Sequence, residues 1–139
     1  ITVAELVPDV VRWNEGMIGD ATGRPLDDQR ITIRIADVAE VIQETEGRWD
    51  AILLDVDNGP ESLSHPSNAW LYGHKGIHGA IRALRPGGVL GIWSAGSDET
   101  FTRRLMKAGL QTDIVRVGAR GGRKGPRHTI WFASKSEAT

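Results

Sequence analysis

The chain contains no cysteine, and that absence removes disulfide staples, thiolate metal ligands and cysteine nucleophiles together. It also lacks an excess of either charge: 17 lysines and arginines stand against 18 aspartates and glutamates, a formal net charge of -1. No global field draws such a chain to nucleic acid or to an anionic membrane, so neither is an expected partner, and any charged ligand must be met by a local patch. No apolar run approaches the roughly 20 residues that span a bilayer, and no basic-then-apolar leader opens the sequence. A soluble chain is expected. Repeats, low-complexity tracts and linkers are absent too. The 139 residues suit one ordinary domain, 1–139, long enough to bury about two thirds of its unfolded surface.

What is present is an alternation. Short runs rich in Val and Ile follow amphipathic stretches of helical length, the pattern of strand–helix units in a mostly parallel α/β sheet. The spacing predicts strands over "ITVAELV", "ITIRIAD", "WDAILLDV" and "GVLGIWSA", the third apolar on both faces in "AILL" and therefore central. Pro8 suits a first helical turn, and apolar spacing from Val10 to Ile18 predicts a helix up to Gly19. Further helices are expected over "VAEVIQETEG", "AWLYGHKGIHGAIRALR" and "ETFTRRLMKAG", the last capped by Ser97 or Asp98. "QTDIVRVGA" and "HTIWFAS" close the chain as an antiparallel hairpin around "RGGRKGPR".

In open parallel sheets the residues that finish each strand face the ligand crevice. Three strand ends are acidic: Glu5 late in the first, Asp37 just after the second, and Asp55 with Asp57 at the end of the third. Sharing one crevice, such carboxylates would meet hydroxyls, amino groups or cations. Each alone could equally be a helix N-cap or a solvated edge residue.

"ITVAELVPDVV", "ITIRIADVAEVI", "WDAILLDVDNGP" and "ALRPGGVLGIWSA", in this order and at these spacings, resemble the class I fold of S-adenosylmethionine-dependent transferases. Within it they are most similar to the spermidine synthase (polyamine aminopropyltransferase) family, along nearly the whole chain. The resemblance implies a Rossmann-like sheet, mostly parallel with a C-terminal antiparallel hairpin. It implies that Glu5 accepts the ribose hydroxyls of the nucleoside and that Asp37 accepts from the adenine amino group, with Val38 where the family usually has Gly or Ala. Asp55 matches the first acid of the family's Asp-x-x-Asp-Pro signature and would be the catalytic base. Asp57 would help attract the polyamine, from a loop shorter than the family's. The co-substrate implied is decarboxylated S-adenosylmethionine, or S-adenosylmethionine itself in a methyltransferase of the same fold; no metal is implied, and a cytoplasmic location is expected. A non-catalytic binding or assembly module is the third reading.

The family's first sheet strand and glycine-rich turn have no counterpart here, so this chain by itself is expected to be inactive. In the family that strand lies between those of "ITVAELV" and "AILLDV". Its absence leaves two unpaired edges, which predicts that they meet each other or a second copy, hence a homo-oligomer. "RPGGVLG" precedes a strand, and is read as a turn rather than a phosphate-binding loop. His74 and His78 have metal-ligand spacing but no accompanying Glu. Arg116, Arg120, Arg123, Lys124, Arg127 and His128 surround the last hairpin loop as a solvated or anion-contacting patch. The tryptophans are read as core or packing residues rather than ligand-stacking ones, with Trp93 at a strand end the best exception.

Overall fold

A computed structural model describes residues 1–56, 59–60, 68–118, 125 and 127–136. The chain divides into two compact units, Ile1–Glu44 and Thr45–Thr139. Among the described residues no helix is long and apolar enough to cross a membrane.

In the first unit β1 (Thr2–Glu5) pairs in parallel with β2 (Thr32–Ile35), from Thr2 opposite Thr32 to Glu5 opposite Ile35. The predicted helix between them is two, α1 (Pro8–Glu15) and α2 (Met17–Thr22), broken at Gly16. A 3-10 turn over Pro25–Asp27 comes next. Arg24 ties it together, donating to Asp27 and to Asp20 at 2.7 Å each and to the Glu15 carbonyl at 3.2 Å. After β2 comes α3 (Val38–Gln43), whose Val41 and Ile42 are buried.

The second unit is a four-stranded sheet in the order β3 (Trp49–Leu54), β4 (Leu84–Ser94), β6 (Arg127–Ser134), β5 (Gln111–Gly118). β4 runs parallel to β3, while β6 is antiparallel to both β4 and β5. The mixed sheet, parallel strands followed by an antiparallel hairpin, is the expected class. Position within it differs from expectation: β3 ends this sheet and is not central to it. Its alternation shows why, because Ile52 and Leu54 are buried while Leu53 is 75% exposed. An all-apolar run cannot by itself tell two covered faces from one.

The long helix predicted after β3 is also two, α4 (Ala69–Tyr72) and α5 (His74–Ala83). The break at Gly73 lets α5 fold closely onto α4, and a Cβ at Gly76 would sit 2.2 Å from the Trp70 carbonyl. α6 (Glu99–Lys107) begins at Asp98, whose carboxylate accepts from the Phe101 amide at 2.8 Å. Its apolar residues Phe101 and Leu105 are fully buried. Phe101 bridges two rings edge-on, Tyr72 at 5.8 Å and Trp131 at 5.3 Å. Such pairs add about 0.5–1.5 kcal/mol beyond the area they bury. The Trp131 indole N–H, buried with its ring, donates to Thr102 Oγ1 at 2.8 Å, so no polar atom of this cluster is stranded.

Candidate functional site

Parallel strands in one register bring their carboxyl ends to one edge. In the first unit this places Glu5 and Asp37 together at the edge of the β1–β2 sheet, joined through the backbone by the Ala36 amide donating to the Glu5 carbonyl at 3.1 Å. Both acids are half-buried, and each spends one oxygen locally. Glu5 Oε1 accepts from the Val7 amide at 2.8 Å. Asp37 Oδ1 accepts from the Ala39 amide at 2.8 Å and caps α3. The cap role weighed from sequence is therefore occupied at Asp37, and each carboxylate keeps a second oxygen that can accept from a ligand.

In the second unit Asp55 directly succeeds β3, at the carboxyl end of the parallel β3–β4 pair. Its side chain is exposed, with no hydrogen bond or ion pair to any described residue. The last registered partners of the pair are Leu54 and Ile92, which Asp55 and Trp93 directly follow in sequence. Trp93 is half-buried and lies against the His128 ring, 4.8 Å between centroids and 37° between planes. His128 Nδ1 is buried and unpartnered. Asp57 lies outside the described residues, as do Arg120, Arg123 and Lys124 of the basic patch. Arg116 and Arg127 are exposed. His74 and His78 are both exposed on α5, and among the described residues no group of three or more His, Asp or Glu is arranged to hold a metal ion.

Two residues that sequence reading did not single out shape the ground around Asp55. Tyr72 donates its hydroxyl to the Val56 carbonyl at 2.6 Å. Ser94, buried at the end of β4, lies directly under Gly59: a Cβ there would stand 2.2 Å from Ser94 Oγ, and the φ of +96° is itself a glycine conformation.

No protein-family model and no curated protein matches the sequence. Solved structures match the fold. A spermidine synthase from Thermotoga maritima aligns with 99% of this chain and 46% of its own length, at 20% identity and a TM-score of 0.74. Human methyltransferase-like protein 13, solved with S-adenosylhomocysteine, aligns with 97% of this chain and 60% of its own, at 20% identity and a TM-score of 0.71. The N-methyltransferase NodS of Bradyrhizobium japonicum aligns with 98% and 73%, at 20% identity and a TM-score of 0.62. The chain thus spans less than half the length of the Thermotoga spermidine synthase. Its fold is that of class I S-adenosylmethionine-dependent transferases, which these neighbours share across two different reactions.

Proposed function

We propose that this chain carries the nucleoside-facing and amine-facing acids of an aminopropyltransferase akin to the spermidine synthases, with decarboxylated S-adenosylmethionine and a polyamine as substrates. The observation that carries the reading is Asp55: an exposed carboxylate with no described partner, at the carboxyl end of a parallel strand. Glu5 and Asp37, sharing the edge of their own sheet with one free oxygen each, suit a ribose diol and an adenine amino group. Asp57 adds negative charge for a cationic substrate.

An amine is mostly protonated near neutral pH and cannot attack until it loses a proton. Asp55 holds the ammonium, takes that proton and orients the nitrogen in line with the carbon beside the sulfonium. The freed lone pair forms the new C–N bond as the C–S bond breaks. Sulfur keeps the bonding pair and becomes a neutral thioether, and the positive charge ends on the new secondary ammonium.

Methyl transfer from S-adenosylmethionine is the second reading, favoured by the likeness of the fold to methyltransferase structures at TM-scores of 0.71 and 0.62. Assays with decarboxylated and intact S-adenosylmethionine separate the two. If Asp55 is the proton acceptor, Asp55→Asn cuts amine transfer by about a hundredfold or more and leaves nucleoside binding largely intact. Equal transfer by the variant removes the assigned role. Homo-oligomeric assembly and a cytoplasmic location belong to the same proposal; the first is supported by the terminal place of β3 in its sheet, with Leu53 exposed beside it.

A further inference from the structure

Among the described residues no hydrogen bond holds the Asp55 carboxylate, so its aim depends on the backbone that carries it. That backbone is pinned just downstream from a distant part of the second unit. Tyr72, the single tyrosine of the chain, is 3% exposed, and its hydroxyl donates to the Val56 carbonyl across 16 residues of sequence. The donor is itself held in place. Its ring is seated edge-on against Phe101, and its own carbonyl accepts from Arg104 Nη1 at 2.7 Å. Val56 comes directly after Asp55, so the bond to its carbonyl restricts the chain path immediately beyond the acid. The close passage of Gly59 over Ser94 supplies a second pin four residues beyond Asp55. A phenylalanine would fill the same space, so packing alone gives no reason for the hydroxyl.

We propose that Tyr72 is a positioning residue for Asp55, its hydroxyl holding the Val56 peptide so that the exposed carboxylate keeps one direction toward an amine. The inference rests on the reading of Asp55 as the amine-facing acid. A misplacement of about 1 Å can cost on the order of a hundredfold in a reaction that depends on alignment, so a fixed backbone at this point has a direct chemical consequence.

Tyr72→Phe tests it in this chain, because the ring and its contacts remain. Amide exchange followed by NMR is expected to quicken roughly tenfold at Asp55 and Val56 while the β4–β6 ladder changes by less than about twofold. Unchanged exchange at Asp55 and Val56 overturns the proposal. Titration with spermidine is expected to show affinity about fivefold weaker in Tyr72→Phe, and an effect of less than about twofold when the same change is made on Asp55→Asn. A tyrosine that only stabilises the fold weakens binding by the same factor in both backgrounds, and that result overturns the proposal as well. Should the unsubstituted chain take up no spermidine, the amine reading of Asp55 fails, while the exchange rates at Asp55 and Val56 still decide the positioning role.

Discussion

The two units follow one plan, parallel strands alternating with helices, and differ in what they bury. Residues 1–44 pair two strands of four residues each, and the apolar side chains fully buried among them are Val41 and Ile42. Val3, Leu6, Trp13, Met17 and Ile35 of the same unit are exposed. Ion pairs lie on its surface, Arg24 with Asp20 and Asp27 and Arg30 with Asp28, but pairs of that kind, screened by water, add little to stability. Residues 45–139 instead surround Phe101, Trp131, Ile77, Leu90 and Ile92, all nearly inaccessible. Topology is thus no measure of stability. A two-stranded parallel pair with few buried side chains is marginal, while four strands with a helix-covered face carry a core.

The largest expected effect comes from that core. Phe101→Ala removes the ring that joins Tyr72 to Trp131 and is expected to cost about 3–5 kcal/mol in urea-induced unfolding. A cost under about 1 kcal/mol would show that the second unit is not held by its aromatic cluster and would erase the contrast.

Smaller, and comparable across the units, are the helix caps. Asp98→Ala is expected to destabilise the chain by about 1 kcal/mol through loss of the bond to the Phe101 amide. Asp37→Ala removes the same kind of bond from α3, at a similar cost of about 1 kcal/mol. The contrast lies in how far each loss spreads: amide exchange should rise around α3 and the β1–β2 pair after the second change, with little spread into β4 and β6. Equal spread from both caps would mean that the units open together.

The smallest effect is electrostatic. Hydrogen bonds from the Arg30 side chain, and then from its backbone amide, lower the Asp28 carboxyl below its ordinary value. A depressed folded-state pKa gives stability that is present above the ordinary carboxylate value of about 4 and is lost as pH falls below it. Acid titration of Asp28→Asn against the parent chain should show the difference between the two shrinking below about pH 4. A difference that grows there would reverse the sign. The pair is solvent-exposed, so the effect is small and weakens further with salt.

Much of this architecture was legible in advance. The strand–helix alternation, the C-terminal antiparallel pair and a cap at Ser97 or Asp98 each rest on a short-range signal, either side-chain period or a capping residue. The misjudged features share a different origin. The helix from Ala69 breaks at Gly73, which lets α5 pack so closely on α4 that Gly76 has no room for a Cβ. The "AILL" run covers one face and bares the other. Of the candidate acids, Glu5 and Asp37 proved to finish adjacent parallel strands and Asp55 to finish β3, while the side chain that holds the backbone beyond Asp55, Tyr72, carried no local mark.

What the sequence determined alone is the succession of elements and the chemistry set at their ends, because hydrophobic period, proline and glycine placement and capping residues act over a few residues. Only the tertiary structure decided that β6 lies between β4 and β5, that β3 ends its sheet, and that the Tyr72 hydroxyl grips the Val56 carbonyl from 16 residues away. Those outcomes depend on contacts between segments far apart in the chain. Their free energy comes from burial and hydrogen bonds that exist only once the segments have met.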